Sequence, residues 1–240
     1  MTFPRKLAAA SLCSALAGVA GASPYQMPDM HAATDFEVKL QAQYTVAGKD
    51  KALEGPALDI TAPLRPGLET SVTFGRGRVS GQGWGNLDTE LAVKWEAIPI
   101  GEEDGHLGIT IEPTVLMPTG KTGLSAGEHQ FALPVVGGAN WGKFGLRGML
   151  GWQHGFKSDD NAAQVGALAT FDVTDRFSVG LEYAGESSMT RPHRYGSSAD
   201  VGFTFALTPK IDLQGRIGHT LHSIDDTGAT QAAVFLEFAL

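Results

Sequence analysis

Strict two-residue alternation of apolar and polar side chains, repeated in segment after segment from Asp35 to Leu240, constrains this chain more than any other feature. Successive side chains of an extended strand point to opposite faces, so Phe36, Val38, Leu40, Ala42, Tyr44 and Val46 share one face. Glu37, Lys39, Gln41, Gln43 and Thr45 share the other. The same pattern sets Leu87, Leu91, Val93 and Trp95 against Asp88, Glu90, Lys94 and Glu96. A 3.6-residue period fits nowhere comparably well, which makes the fold all-β. Counted this way, the chain holds about 12 strands of roughly nine to thirteen residues, a length suited to tilted membrane-spanning strands.

The connections sort into two kinds. Those near 65–67, 98–105, 140–142, 174–175 and 208–209 read as mostly tight, and those near 48–55, 79–85, 118–128, 154–161, 185–197 and 222–228 as longer. In outer-membrane barrels short turns face the periplasm and long loops face outward, so both termini fall in the periplasm, as an even strand count requires. A water-soluble sandwich or lipocalin-like barrel also alternates, but its apolar rows point inward. Here the polar rows carry many Gly, Ala and Thr and too little charge for a solvent face, and soluble up-and-down barrels use fewer strands. The expected fold is an antiparallel up-and-down transmembrane β-barrel over residues 35–240.

The first residues supply a route to a membrane. Arg5 and Lys6 precede an apolar stretch from Leu7 to Ala20 that ends in the small residues Ala20-Gly21-Ala22, the pattern of a secretory signal peptide cleaved before Ser23. Residues 1–22 are read as that leader and residues 23–34 as a periplasmic N-terminal segment. Cys13 lies inside the leader, so the mature chain has no disulfide, no cysteine nucleophile and no thiolate metal site. Formal net charge is −8, and losing the bases Arg5 and Lys6 with the leader makes the remainder more acidic, which argues against nucleic acid as a partner. No apolar run outside the leader is long enough for a spanning helix.

The polar rows, if they face a lumen, place Glu37, Lys39, Asp59, Glu69, Asp88, Glu90, Lys94, Glu96 and Glu112 along its first half. Arg147, Asp172, Arg176, Glu182, Asp200, Asp212, Arg216 and Glu237 follow along the second. Acids outnumber bases by about twelve to five in a narrow space, so the charges either pair and plug the lumen or line a slim aqueous path. An open path of that charge favours cations or neutral solutes over anions.

Other candidates for chemistry are weaker. Gly218-His219-Thr220 and His222-Ser223 invite a barrel lipid hydrolase, in which a His deprotonates a hydroxyl and a third group orients the ring. His219 falls on the predicted lipid-facing row, where an interfacial polar residue is ordinary, so no catalytic residue is assigned and the chain is not read as an enzyme. Arg191 and Arg194, with His193 between them, present guanidinium groups suited to phosphates of lipopolysaccharide, and the three also read as an exposed polar loop. Glu102, Glu103 and Asp104 with His106 read as a solvated acidic turn rather than a metal site, and Asp225-Asp226 is equally ambiguous. Gly123 to Gly127 lacks the strand-to-helix setting of a phosphate loop. No cofactor is called for.

In layout the chain resembles outer-membrane barrels of the family named for the meta-pathway of phenol degradation. The likeness rests on Gly85-Asn86-Leu87-Asp88-Thr89-Glu90-Leu91-Ala92-Val93-Lys94-Trp95 and on Met117-Pro118-Thr119-Gly120 before a long loop. It also rests on the hairpin Phe171-Asp172-Val173-Thr174-Asp175-Arg176-Phe177-Ser178-Val179-Gly180-Leu181-Glu182-Tyr183. The resemblance implies a Gram-negative outer-membrane, porin-like barrel that transports small, aromatic or hydrophobic solutes, and it supplies no set of functional residues. Its implied partners are outer-membrane lipid, lipopolysaccharide, the barrel-insertion machinery and the solute. One departure is the final residue, Leu240 in place of the usual aromatic, although Val234, Leu236, Phe238 and Leu240 keep the expected spacing. The alternative to transport is a structural or plugged barrel.

Overall fold

The computed structural model describes residues 24–101, 103–158, 160–190, 195–223 and 228–240. The expected leader, Glu102, the Arg191–Arg194 cluster and Asp225-Asp226 lie outside these residues. The chain forms one closed antiparallel barrel of 12 strands. These are β1 (Glu37–Ala47), β2 (Asp50–Arg65), β3 (Leu68–Val79), β4 (Gly85–Asn86 and Thr89–Ile98), β5 (Gly108–Ile111 and Thr114–Met117) and β6 (Gln130–Trp141). The circuit continues through β7 (Phe144–Gly155), β8 (Asp160–Thr174), β9 (Phe177–Ser188), β10 (Tyr195–Thr208), β11 (Ile211–His222) and β12 (Ala229–Ala239). Each strand pairs with the next. β12 then closes on β1 in unbroken register from Glu37 opposite Ala239 to Ala47 opposite Ala229.

Polarity is inverted relative to a water-soluble protein. Lys94, Glu69, Glu112, Glu182, Gln164 and Gln214 are among the most buried side chains, whereas Leu150 is 70% exposed and Leu181, Val201 and Ile217 are each more than half exposed. The two sets alternate along single strands: Leu91, Val93 and Trp95 point out of β4 while Glu90 and Lys94 point in. An apolar outer surface of this extent is stable against hydrocarbon, and the closed ladder leaves no edge whose N–H and C=O groups lack partners. β5 contains Pro113, which cannot donate a ladder hydrogen bond. The ladder survives around it because Glu112 N–H donates to Pro134 O at 3.1 Å and Val93 N–H donates to Pro113 O at 3.1 Å.

Three connections differ from their sequence reading. The stretch 48–55 is not a loop: the chain turns at Gly48-Lys49 and β2 runs on through Gly55-Pro56 as a bulge, with the register shifting between Glu54 and Ala57. Gly55 adopts φ +124°, and a Cβ there would lie 2.8 Å from the Ala42 Cα, so a glycine is needed where the strands crowd together. The expected long loop 185–197 is shortened by β9 and β10, which run to Ser188 and from Tyr195. Conversely, the connection expected to be tight near 98–105 spans residues 99–107.

The inverted wall predicts where spin labels meet lipid. Nitroxides on Cys placed at Leu150 and Leu181 in the refolded protein are expected to relax faster with a lipid-soluble quencher, and those at Gln164 and Gln214 with none. Equal quenching at all four positions would contradict the barrel's facing.

Candidate functional site

The lumen is occupied by the chain's own N-terminal segment. The sequence reading has residues 23–34 in the periplasm ahead of the barrel, but Pro24, Tyr25, Gln26, Met27, Pro28 and Met30 are buried inside the wall. Their apolar side chains explain the difference. Tyr25, Met27 and Met30 pack with Val136 of β6 and Leu168 of β8 into a small buried cluster, with Ile100 and Met149 alongside. Removing such side chains from water favours their burial by about 1.5–3 kcal/mol each.

The wall is cut to receive these side chains. A Cβ on Gly180 would lie 2.3 Å from the Tyr25 hydroxyl and one on Gly202 would lie 2.6 Å from Tyr25 Cε1. Gly138 meets Met30 and Gly166 meets Met27 in the same manner. These inward glycines of β6, β8, β9 and β10 open the room in which the segment lies.

Carboxylates on the wall hold its backbone. Glu182 accepts two hydrogen bonds, from Gln26 N–H at 2.8 Å and Met27 N–H at 2.7 Å. The Gln26 side-chain amide donates to Asp200 Oδ2 at 2.8 Å and to Ser198 Oγ at 2.9 Å. On the other side of the barrel Thr110 donates to Met30 O at 2.8 Å, and Ala32 and Ala33 donate to the carboxylates of Glu96 and Glu69. Lys94 Nζ reaches His31 O at 3.4 Å. The segment thus bridges β3, β4 and β5 to β9 and β10.

Most charges expected to line the lumen are buried in the wall, and many are compensated in local groups. Lys94 pairs with Glu69 at 2.9 Å and approaches Glu112 at 3.6 Å. Lys39 pairs with Glu237 at 3.1 Å. Thr61 and Thr73 donate to Asp59, and Arg216 donates to Gln43 Oε1 at 2.7 Å. Arg147 donates to Thr170 Oγ1. Glu37 and Asp212 are half-buried near the end of the barrel that carries both termini. Asp172 and Arg176 are exposed beside the β8–β9 turn. Asp88 is occupied elsewhere, for its carboxylate accepts Gly120 N–H and Ala126 N–H and so fixes the 118–128 loop.

Beyond the segment, toward the longer loops, the lumen opens into a cavity of about 900 Å³, its open mouth included. Gln26 and Pro28 contribute to its lining, together with the linked amides Gln130, Gln153 and Gln164. Gln153 Nε2 donates to Gln130 Oε1 and Gln164 Nε2 to Gln153 Oε1, both at 2.8 Å. Charge alone does not single out these amides, and the sequence reading puts Glu186 in the 185–197 loop. Their even spacing on the polar rows was the available signal. The hydrolase candidates are not assembled: His219 Nδ1 lies 3.0 Å from Thr230 Oγ1 on the outer face, and His222 stacks on Tyr195. Among the described residues no group of acids and histidines has the arrangement of a metal site.

The family described as "Putative MetA-pathway of phenol degradation" matches residues 21–238. Among solved structures, a COG4313 outer membrane channel from Pseudomonas putida F1 is similar with TM-score 0.67 at 14% identity, covering 92% of this chain and 100% of that one. The NanC porin is similar with TM-score 0.63 at 10% identity, covering 85% and 100%. The KdgM porin gives 0.57 at 12% identity, covering 84% and 99%. At these identities the likeness is one of fold. No curated protein matches the chain in sequence.

The Glu182 clamp makes the seating of the segment testable. In Met27→Cys protein a water-soluble thiol reagent should react slowly, and adding Glu182→Ala should accelerate it at least about tenfold, because two hydrogen bonds to a charged acceptor are lost. Unchanged labelling would show that Glu182 does not hold the segment.

Proposed function

Because the chain belongs to that phenol-degradation family, whose match spans nearly its whole length, we propose that it is a bacterial outer-membrane channel for small solutes. The observation that carries this reading is an open vestibule inside the lumen, lined by both amide and apolar side chains and enclosed by a wall whose outer face is apolar, which suits passage of solute through a membrane. The similar structures support it, since one is an outer membrane channel and two are porins. Residues 1–22 serve as the secretory leader, the end carrying both termini faces the periplasm, and the vestibule opens to the outside. Small aromatic or hydrophobic molecules are the proposed cargo, with outer-membrane lipid and lipopolysaccharide around the wall and the insertion machinery acting on the last strand. The excess of acids over bases on the inner wall gives the path a preference for cations and neutral solutes over anions.

The buried N-terminal segment favours a second reading, a barrel closed at rest and serving only as structure. Recordings in planar bilayers separate the two. Protein lacking residues 24–33 should conduct severalfold more than the mature chain, and neutralising Glu90, Glu96 and Glu112 together should move reversal potentials toward anions. If neither protein conducts, and a small aromatic solute enters cells equally with and without it, the closed structural barrel stands instead. The mature chain should begin at Ser23 and fractionate with the outer membrane; recovery as a soluble periplasmic protein would contradict the location.

A further inference from the structure

The vestibule lining is chemically one-sided. Among the described residues its ionisable members are Glu90 of β4 and Glu186 of β9, and none is Lys, Arg or His. Glu90 is only 7% exposed, yet its side chain has no hydrogen-bond or ion-pair partner among the described residues. Glu186 Oε2 and Gln231 Oε1 are buried atoms that also have no partner among the described residues. All three groups are acceptors on the lining of one cavity. The buried donors without partners, Gln43 Nε2, Arg147 Nε and Arg216 Nε, belong to residues outside that lining.

A carboxylate buried without a partner costs free energy that a donor arriving in the cavity can recover. Among the described basic groups of the wall, Lys94 is taken up by Glu69, Glu112 and the segment backbone and Lys39 by Glu237, and Arg147 and Arg216 lie outside the lining. Among the described residues the charged neighbours that bear on Glu90 are Glu112 and Asp59, and the one that bears on Glu186 is Asp160; none of them is a base. Beside the acceptors lie the apolar groups Leu116, Pro134 and Met149. They suit a hydrocarbon body attached to a charged donor.

We infer that the vestibule is a binding site for organic cations, molecules with a protonated amine or a guanidinium on a small apolar body, held by Glu90 and Glu186. The inference deepens the channel reading and rests on it for the direction of entry, because it makes the cargo's charge a determinant of capture. Charge-assisted hydrogen bonds are shorter and about twice as strong as neutral ones, so an ammonium group should outbid an equivalent hydroxyl.

The test uses calorimetric titration of the refolded mature protein with 2-phenylethylammonium and its neutral counterpart 2-phenylethanol, with protein-free micelles subtracted. The ammonium should bind at least about tenfold more tightly than the alcohol. Glu90→Gln and Glu186→Gln, each confirmed as folded by a heat-dependent shift on gels, should each weaken ammonium binding about tenfold and leave the alcohol unchanged. Equal affinity for the two probes, or ammonium binding unaffected by both variants, overturns the site. Flux of the same ammonium into liposomes is measured separately. Selective binding without flux supports the site while defeating the channel reading; flux without selective binding overturns the site and leaves the channel intact.

Discussion

Everything in this molecule follows from the requirement that backbone N–H and C=O groups find partners where there is no water. In hydrocarbon an unpaired edge costs several kcal/mol per group, so a sheet can persist only by returning on itself. The pairing of β12 with β1 meets that requirement in full register. Closure then dictates the side-chain pattern, because each strand must show lipid one face and the interior the other. It also explains why interruptions are repaired locally: Pro113 breaks β5, yet Glu112 and Val93 keep the ladders on both sides connected.

Closure also creates an interior whose contents must be satisfied without bulk solvent. Buried charges there are tolerable only when paired or hydrogen-bonded, and the wall arranges most of them in small groups such as Lys94 with Glu69 and Glu112. The chain uses its own N-terminal segment for the same purpose, giving Glu182, Glu69 and Glu96 backbone N–H groups to accept. On the vestibule lining, Glu90 and Glu186 Oε2 remain without a partner among the described residues.

Alternation made the fold legible, since a two-residue period over strands such as β1 and β4 leaves no other reading of their faces. The strand count and the common end of the termini followed from it. Strand limits were less accessible. Gly55-Pro56 and Gly75 look like breakers by local preference, but in the folded wall they are the residues that tolerate close strand approach and a bulge. The buried segment was not legible because its determinants are distant: Tyr25 is seated by the absence of side chains at Gly180 and Gly202, far along the chain. Its one local sign was Tyr25, Met27 and Met30 clustered in a stretch with no strand periodicity. The lumen's charges were visible by parity, but which of them are paired depends on cross-barrel distances that sequence order does not encode.

The attachment points of the N-terminal segment lie on opposite arcs of the wall, β3 to β5 on one side and β9 and β10 on the other. A hollow cylinder joined only by its ladders deforms easily into an oval, because flattening changes curvature without breaking any ladder bond. A strut across the diameter couples the two arcs, so that flattening along the strut must buckle it and flattening across the strut must stretch it. Seen mechanically, the segment makes the round cross-section a property of the whole chain, and lateral pressure from the surrounding lipid is carried through the interior as well as around the rim.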